Sequence, residues 1–506
     1  MDNNKTQDTL PEGWIWTTID EIGIVTSGGT PSTKNPSFWN GKIPWITPAD
    51  LSSYKNVYIE KGSRNISEIG MEYSSAKLLP KGSILFSSRA PIGYVVIAKN
   101  DLATNQGFKN IVATKSLYSE YVYYYLKTIK PLAEKMASGT TFLELSASKF
   151  AQIPIPLPPL EEQHRIVSRI EELFSELDHA EEALKKAQKQ LEIYKQALLK
   201  SAFEGSSREK REIIVGQLGI ISTGTTPSKS SANFYGTDYN FYKPSDLNKG
   251  YHVINSSDKL SELGFYSARV VPDNSILVTC IGATIGKTGI ARKGGAFNQQ
   301  INAIIPNENY LPEFIYYQII SLKFQKEMRQ NASSTTLPII NKGKFVQLSF
   351  LSFSKKDQVE IVQELDSKFT IIENLERSII NGILKVEMFR NIILNKAFKG
   401  KLVLQNNDEE PASILLDRIQ AEKALYVSSQ KIKQKEKLKA IKPMETNKKE
   451  LRKILEKSLE PIPSEILWQE SIYFENIETF YAELKKIEHE IEVIINGKES
   501  SITLKR

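Results

Sequence analysis

Between residues 160 and 204, apolar residues recur every seven positions. Ile170, Leu177, Leu184, Leu191 and Leu198 form one series, and Ile166, Leu173, Ala180, Ala187 and Tyr194 form a second, staggered against it. Alternating steps of three and four are a heptad seam, so the spacing predicts a long helix that packs on another helix. At ~1.5 Å per residue, about 44 residues make a rod of roughly 66 Å. A second stretch repeats the pattern with Leu365, Ile372, Ile379, Val386 and Ile393, and with Ile361, Leu375 and Phe389 in the other register. Lys368 and Gly382 interrupt that second register, which predicts a weaker seam there. Neither helix buries its stripe alone, and the simplest partner for each is the other, antiparallel.

Outside these stretches the pattern changes to short β-rich apolar runs (SILFSS, YVVIA, KNIVAT) between Gly, Pro, Ser and Asn turns. This mixed α/β pattern is written twice. Residues 22–51 and 218–247 align without gaps, with ten of thirty positions identical: Gly23, Ile24, Gly28, Thr30, Pro31, Ser32, Phe38, Pro48, Asp50 and Leu51. LPKGSILFSS (79–88) matches VPDNSILVTC (271–280), TNQGF (104–108) matches FNQQI (297–301), and YVYYYLK (121–127) matches FIYYQII (314–320). The fold class is therefore two α/β domains joined by two long antiparallel coiled-coil helices, with a helical C-terminal tail. The boundaries read as domain 1–155, helix 156–205, domain 206–352, helix 353–405 and extension 406–506.

The two junctions differ in sequence. IPIPLPP (153–159) places prolines before the first helix, where they are tolerated, and the proline-free LSFLSFS (348–354) precedes the second, with Ser354 as its N-cap. The tyrosine run 121–127 invites a base-stacking reading, but its counterpart keeps an apolar stripe, which favours a helix packed on its own domain.

Composition narrows the chemistry. A net charge of +7 and pI near 8.9 suit a polyanionic partner without proving one. One cysteine, Cys280, excludes an internal disulfide, and the four scattered histidines have no ligand-like neighbours. No apolar run has membrane-spanning length, and the N-terminus lacks signal-peptide layout, so the expected compartment is the cytoplasm with no membrane partner. GATIGKTG (282–289) has three residues between its first Gly and Gly-Lys-Thr where a P-loop needs four. No Asn/Asp-Pro-Pro-aromatic string or carboxylate cluster suggests methyl transfer or nucleolysis.

LPEGWIWTTIDEIG (10–23), SGGTPS (27–32), IPWITPADL (43–51), GATIGKTGI (282–290), NQQI (298–301) and IPLPPLEEQHRIVSRIEELF (155–174) together resemble the specificity subunit of type I restriction–modification systems. The resemblance covers residues ~10–405, both halves. It implies a non-catalytic chain in which each domain reads one half of a bipartite duplex DNA target. The helices would set the spacer and bind two adenine-methyltransferase subunits, and restriction/translocase subunits would join that core. S-adenosylmethionine, ATP and Mg would belong to those partners, with no cofactor here. Two alternatives stay open: the recognition subunit of a fused nuclease–methyltransferase, and a coiled-coil scaffold without DNA.

Phosphates are bound by Lys, Arg, Ser, Thr and backbone N–H, and base edges by Arg, Lys, Asn and Gln. The candidates in the first domain are Thr30, Ser32, Lys34, Arg89, Gln106, Lys109, Thr140 and Thr141. Those in the second are Thr226, Ser228, Lys287, Arg292, Gln299, Gln300, Thr335 and Thr336. The extension holds 18 Lys/Arg and 19 Asp/Glu, so it is no polycationic arm despite the basic run 431–440. Residues 409–426 read as a helix and 464–494 as a small amphipathic helical module for docking the restriction or methyltransferase subunit. Deleting 411–506 is expected to spare methylation and weaken restriction.

Overall fold

A computed structural model describes residues 9–139, 143–228, 230–333, 337–445, 450–458, 460–474, 476–496 and 499–505. It divides into two compact units, Met1–Glu172 with Ile392–Arg506, and Leu173–Asn391.

In the first unit, a five-stranded sheet runs in the order Ile24–Ser27, Phe108–Val112, Ile84–Ser87, Val95–Ala98, Tyr58–Ile59. Strands 84–87, 95–98 and 108–112 are buried at every position; the first two read as largely apolar runs, while the third also buries Lys109 and Asn110. A three-stranded sheet (Arg64–Ile66, Trp39–Ile46, Ala103–Thr104) completes the domain. The second unit repeats the plan. One sheet runs Gly219–Thr223, Ile301–Pro306, Ser275–Thr279, Thr288–Ala291, and another runs Asp258–Leu260, Tyr235–Tyr242, Gly295–Phe297, Val270–Val271.

Each domain ends in a strand that runs straight into a long helix. Pro154–Leu157 pairs antiparallel with Ile15–Thr18, and Ser349–Phe353 with Lys210–Ile214. A two-stranded ribbon leaves one edge of each strand free, so prolines cost no ladder bonds there. The helices follow at Leu160–Phe203 and Lys355–Phe398, 44 residues each. Ser354 caps the second, accepting from the Asp357 N–H at 3.1 Å. The tyrosine run is a packing helix: Tyr121 is fully buried and its hydroxyl donates to the Pro156 carbonyl at 2.7 Å. In the other copy the strand offers N–H groups as well, and Gln318 meets both kinds. Its amide donates to the Leu351 carbonyl (2.9 Å) and its oxygen accepts from the Leu351 N–H (2.6 Å). The proline copy is met by a hydroxyl that donates to a carbonyl, and the proline-free copy by an amide that both donates and accepts.

Within the second unit the two helices pair antiparallel. Lys195 meets Glu376 at 2.7 Å, Leu184 meets Gly382, and Arg390 meets Asp178 at 2.5 Å while lying over the Phe174 ring. Leu365, Ile372, Ile379 and Val386 are buried; Leu177, Leu184, Leu191 and Leu198 are half-buried. Ile170 is buried and Ile393 half-buried, each within the first unit. The second register departs from the heptad expectation. Tyr194, Leu375 and Phe389 are 51%, 47% and 44% exposed, and the ion pairs occupy that flank instead. Gly382 is not an interruption: a Cβ there would stand 3.0 Å from Leu184 Cδ1, so its absence makes room for the leucine.

The extension is not a separate appendage throughout. Helix Ala412–Glu445 begins with the Ala412 N–H on the Gly13 carbonyl (2.9 Å) and buries Leu415 and Ile419. The Glu422 carboxylate accepts from Ser116 N–H (3.0 Å) and hydroxyl (2.8 Å), Lys423 pairs with Asp20 (3.2 Å), and Tyr426 packs on the core of the first domain. Residues 464–494 are not continuously helical. Helices Ser464–Glu470 and Ile477–Lys486 lead into a hairpin, Ile491–Asn496 with Glu499–Leu504, where β-branched residues cluster.

The deletion at 411 is thus corrected, because it strips a helix from the first domain. Ending the chain at 449 should leave that domain's calorimetric transition in place, while Leu415→Ala should lower its stability by about 2–5 kcal/mol. Unchanged melting of Leu415→Ala would refute the packing role.

Candidate nucleic-acid interface

The glycine-rich loop of the first domain is fixed from below. A Cβ on Gly28 would lie 2.1 Å from the Asn105 carbonyl oxygen, so only glycine permits this approach. The indole N–H groups of Trp45 and Trp39 donate to the carbonyls of Gly29 (3.0 Å) and Ser32 (3.1 Å). Thr30 is joined through its hydroxyl to the Gln106 carboxamide oxygen. The second domain repeats the arrangement. Gly224 stands 2.1 Å, by the same measure, from the Asn298 carbonyl oxygen, and Thr226 is joined to Gln299. In both, an asparagine turn presents the glutamine: Asn105 Oδ1 accepts from the Gly107 N–H (2.9 Å), and Asn298 Oδ1 from the Gln300 N–H (3.2 Å).

A second fixed corner lies beside each loop. Asp50 accepts from the N–H groups of Thr47 and Ser63, both at 2.8 Å, and Asp246 accepts from those of Lys243 and Ser257, again at 2.8 Å. Burial opposes ionisation of Asp50, but the Thr47 hydroxyl and the two N–H groups outweigh it and hold its carboxyl below the usual value.

These segments surround an open cleft of about 400 Å³ lined by Thr47, Pro48, Ala49, Arg89, Asn105, Gly107 and Glu144. Arg89 lies 3.5 Å from Glu144. In the second domain the bridge that joins Arg89 to Glu144 joins Ile281 to Ile339. The cleft-side chemistry of the two copies has therefore diverged on a shared frame.

The structure sorts the sequence candidates. Thr30 with Gln106, and Thr226 with Gln299, are brought together at the loop tips; Ser32, Lys34 and Ser228 are exposed beside them. Lys109 is only 5% exposed, with its ammonium 3.4 Å from Glu144. Arg292 is committed internally, bonded to the Tyr251 carbonyl (3.1 Å), Asn274 (3.0 Å) and Glu313 (2.6 Å). Gln300 is half-buried against Asn298. Lys287 is half-buried in a tight turn closed on the Thr284 carbonyl. Thr140, Thr141, Thr335 and Thr336 lie outside the described residues. Sequence reasoning missed Asn105 and Asn298, whose turn-forming preference was a usable signal. It also missed the exposed Arg64, stacked 3.7 Å over the Trp39 ring, for which no motif exists. Cys280 is buried, and that burial pushes its thiol up to about 12.

Because folding lowers the Asp50 pKa, its contribution is complete above the unfolded value and fades as pH falls through the folded one. Asp50→Asn should destabilise the first domain at neutral pH, with wild type and variant converging in acid. Parallel stability-versus-pH curves would contradict this.

The profile of the type I restriction modification DNA specificity domain matches residues 11–188 and 209–385. The chain is 32% identical over 424 residues to the MjaIX specificity subunit of Methanocaldococcus jannaschii, spanning 78% of this chain and 94% of that protein. It is 24% identical over 459 residues to the EcoBI specificity subunit of Escherichia coli, spanning 82% and 94%. A chain of a type I restriction–modification complex shares the fold at a TM-score of 0.64 and 22% identity, covering 78% of this chain and all of the other. The HsdS subunit of Thermoanaerobacter tengcongensis does so at 0.51 and 21%, covering 78% and 98%. With two diverged copies of one loop frame on paired helices, and the family profile matched in both, this chain belongs to the specificity subunits of type I restriction–modification systems, the non-catalytic recognition components.

Proposed function

We propose that the chain reads a split duplex DNA sequence, one half through each domain, with residues 1–155 and 206–352 as readers and 156–205 and 353–405 as the spacer. The observation that carries this is the twice-built loop frame, in which Thr30–Gln106 and Thr226–Gln299 stand at equivalent tips while the cleft residues differ. Exposed Ser32, Lys34 and Ser228 supply phosphate contacts, and Arg89, Gln106 and Gln299 supply base or phosphate contacts. Lys109 and Arg292 act as internal supports of the domains.

Two adenine-methyltransferase subunits dock on the helices. Ile380, Leu384 and Met388 support this: they form an i, i+4, i+8 stripe that is 48%, 65% and 49% exposed, outside the pairing seam. Translocating restriction subunits join through the extension. S-adenosylmethionine, ATP and Mg are used by those partners, and the complex works in the cytoplasm.

Modified-base sequencing of host DNA tests the reading. A split motif carrying methyladenine in both halves should vanish when the gene is deleted, and persistent methylation would reject it. Exchanging residues 206–352 for another such domain should change one half of the motif only. Leu384→Asp should weaken methyltransferase association about tenfold or more while the helices stay folded; equal association by calorimetry would remove the stripe from the interface.

A further inference from the structure

Residues 450–505 have their own core, built from Leu451, Ile454, Leu467, Phe480, Leu484 and Ile502. The order is helix Leu451–Leu455, strand Ile462–Pro463, helices Ser464–Glu470 and Ile477–Lys486, then the hairpin 491–504. The first strand pairs with the last, giving the sheet order 462–463, 499–504, 491–496. This is winged-helix topology, and Ile477–Lys486 occupies the place of the helix that DNA-binding helix-turn-helix units lay in the major groove.

Its surface chemistry does not suit DNA. The N-terminal turns, which contact bases in such units, expose Ile477 (50%), Glu478 and Tyr481 (59%). Lys486 is neutralised by Glu483 at 2.6 Å, and residues 450–506 hold twelve acidic against eight basic residues, a formal −4. A phosphate backbone selects the opposite sign. Ile477 and Tyr481 are one helical turn apart on one face, and the turn leading into them exposes Ile472 (47%). That turn is pre-formed: the Trp468 indole N–H donates to the Tyr473 carbonyl (3.2 Å), and Asn476 caps the helix through the Thr479 N–H (3.1 Å). Exposed apolar side chains in an acidic field fit a protein surface with an apolar centre and a Lys/Arg rim.

We propose that residues 450–505 are a protein-docking winged helix, whose Ile477/Tyr481 face binds an apolar, basic-rimmed surface of the ATP-driven translocating subunit. This rests on the reading of the chain given above. The family profile ends at residue 385, and 78% of this chain already spans 94% of the MjaIX subunit, so the module adds to what the family shares. The methyltransferases are assigned to the long helices, which leaves the translocating subunit as its occupant.

The test uses the full chain assembled with its methyltransferase and translocating subunits. In the Ile477→Lys/Tyr481→Lys double variant, affinity for the translocating subunit should fall about tenfold or more. Glu478→Lys should weaken it too, and the wild-type interaction should weaken with salt. Circular dichroism, duplex affinity with its salt dependence, and methylation should be unchanged. Unaltered translocase binding overturns the proposal. So does a loss that appears instead in duplex affinity or in methyltransferase binding. Absence of split-motif methylation by the wild-type chain would sink the underlying reading instead, so the two failures are distinguishable.

Discussion

The rest of the molecule depends on how a domain is joined to its helix without a linker. In each copy a buried glutamine in the first helical turn donates its amide back to the carbonyl just before the helix. Gln163 reaches Pro158 at 2.9 Å and Gln358 reaches Phe353 at 3.0 Å. The strand that leads to those carbonyls is itself held in its domain, by Tyr121 in one copy and Gln318 in the other. Swinging the helix would leave a buried amide unpaired, at about 1–3 kcal/mol. In each copy the end of the strand and the first turn of the helix are therefore held together without a linker.

Much of this was legible from periodicity. The heptads marked two long helices, and an unbroken duplication fixed equivalent loops. What periodicity did not reveal was how the pair closes. Leu375 and Phe389 satisfy the heptad by letter, yet Glu376 and Arg390, each one position on, face the partner helix, with Lys195, Asp178 and Glu181 opposite. A single sequence ranks leucine above arginine at a seam, but Arg390 covers the Phe174 ring with its guanidinium and so closes the flank as well as an apolar residue. The tail was misread for a related reason. Helical periodicity at 464–494 was real over two short helices, and the β-branched run after 490 was too short to outweigh it.

For the interface, residue type pointed to chemistry but not to exposure. Lys109 sits in Phe108–Val112, a strand buried at all five positions, so its ammonium must find a carboxylate, and it finds Glu144. The apolar neighbours Phe108, Ile111 and Val112 were visible in the sequence and argued against solvent access. Thr30 and Gln106 met because both lie on turns whose geometry is dictated by their own neighbours, Gly28 and Asn105. Arg292 offered no comparable signal, since Tyr251 and Glu313 come from distant segments.

The two copies have kept some residues and changed others along a physical line. Gly28/Gly224 and Asp50/Asp246 set backbone geometry, one by lacking a Cβ and the other by accepting two N–H groups, and no other residue does either job as well. The duties of single side chains have moved instead. Trp45 donates to the Gly29 carbonyl in the first domain; in the second, Phe241 takes its place and the Thr225 hydroxyl accepts from the Arg269 N–H. Arg89 and Glu144 carry no backbone role that Ile281 and Ile339 cannot fill. A charged pair and an apolar pair at one site present different faces to whatever enters the cleft. On the proposed reading, that difference is what allows one duplicated frame to read two unlike half-sites, so the asymmetry of the target follows from which positions the backbone leaves free to change.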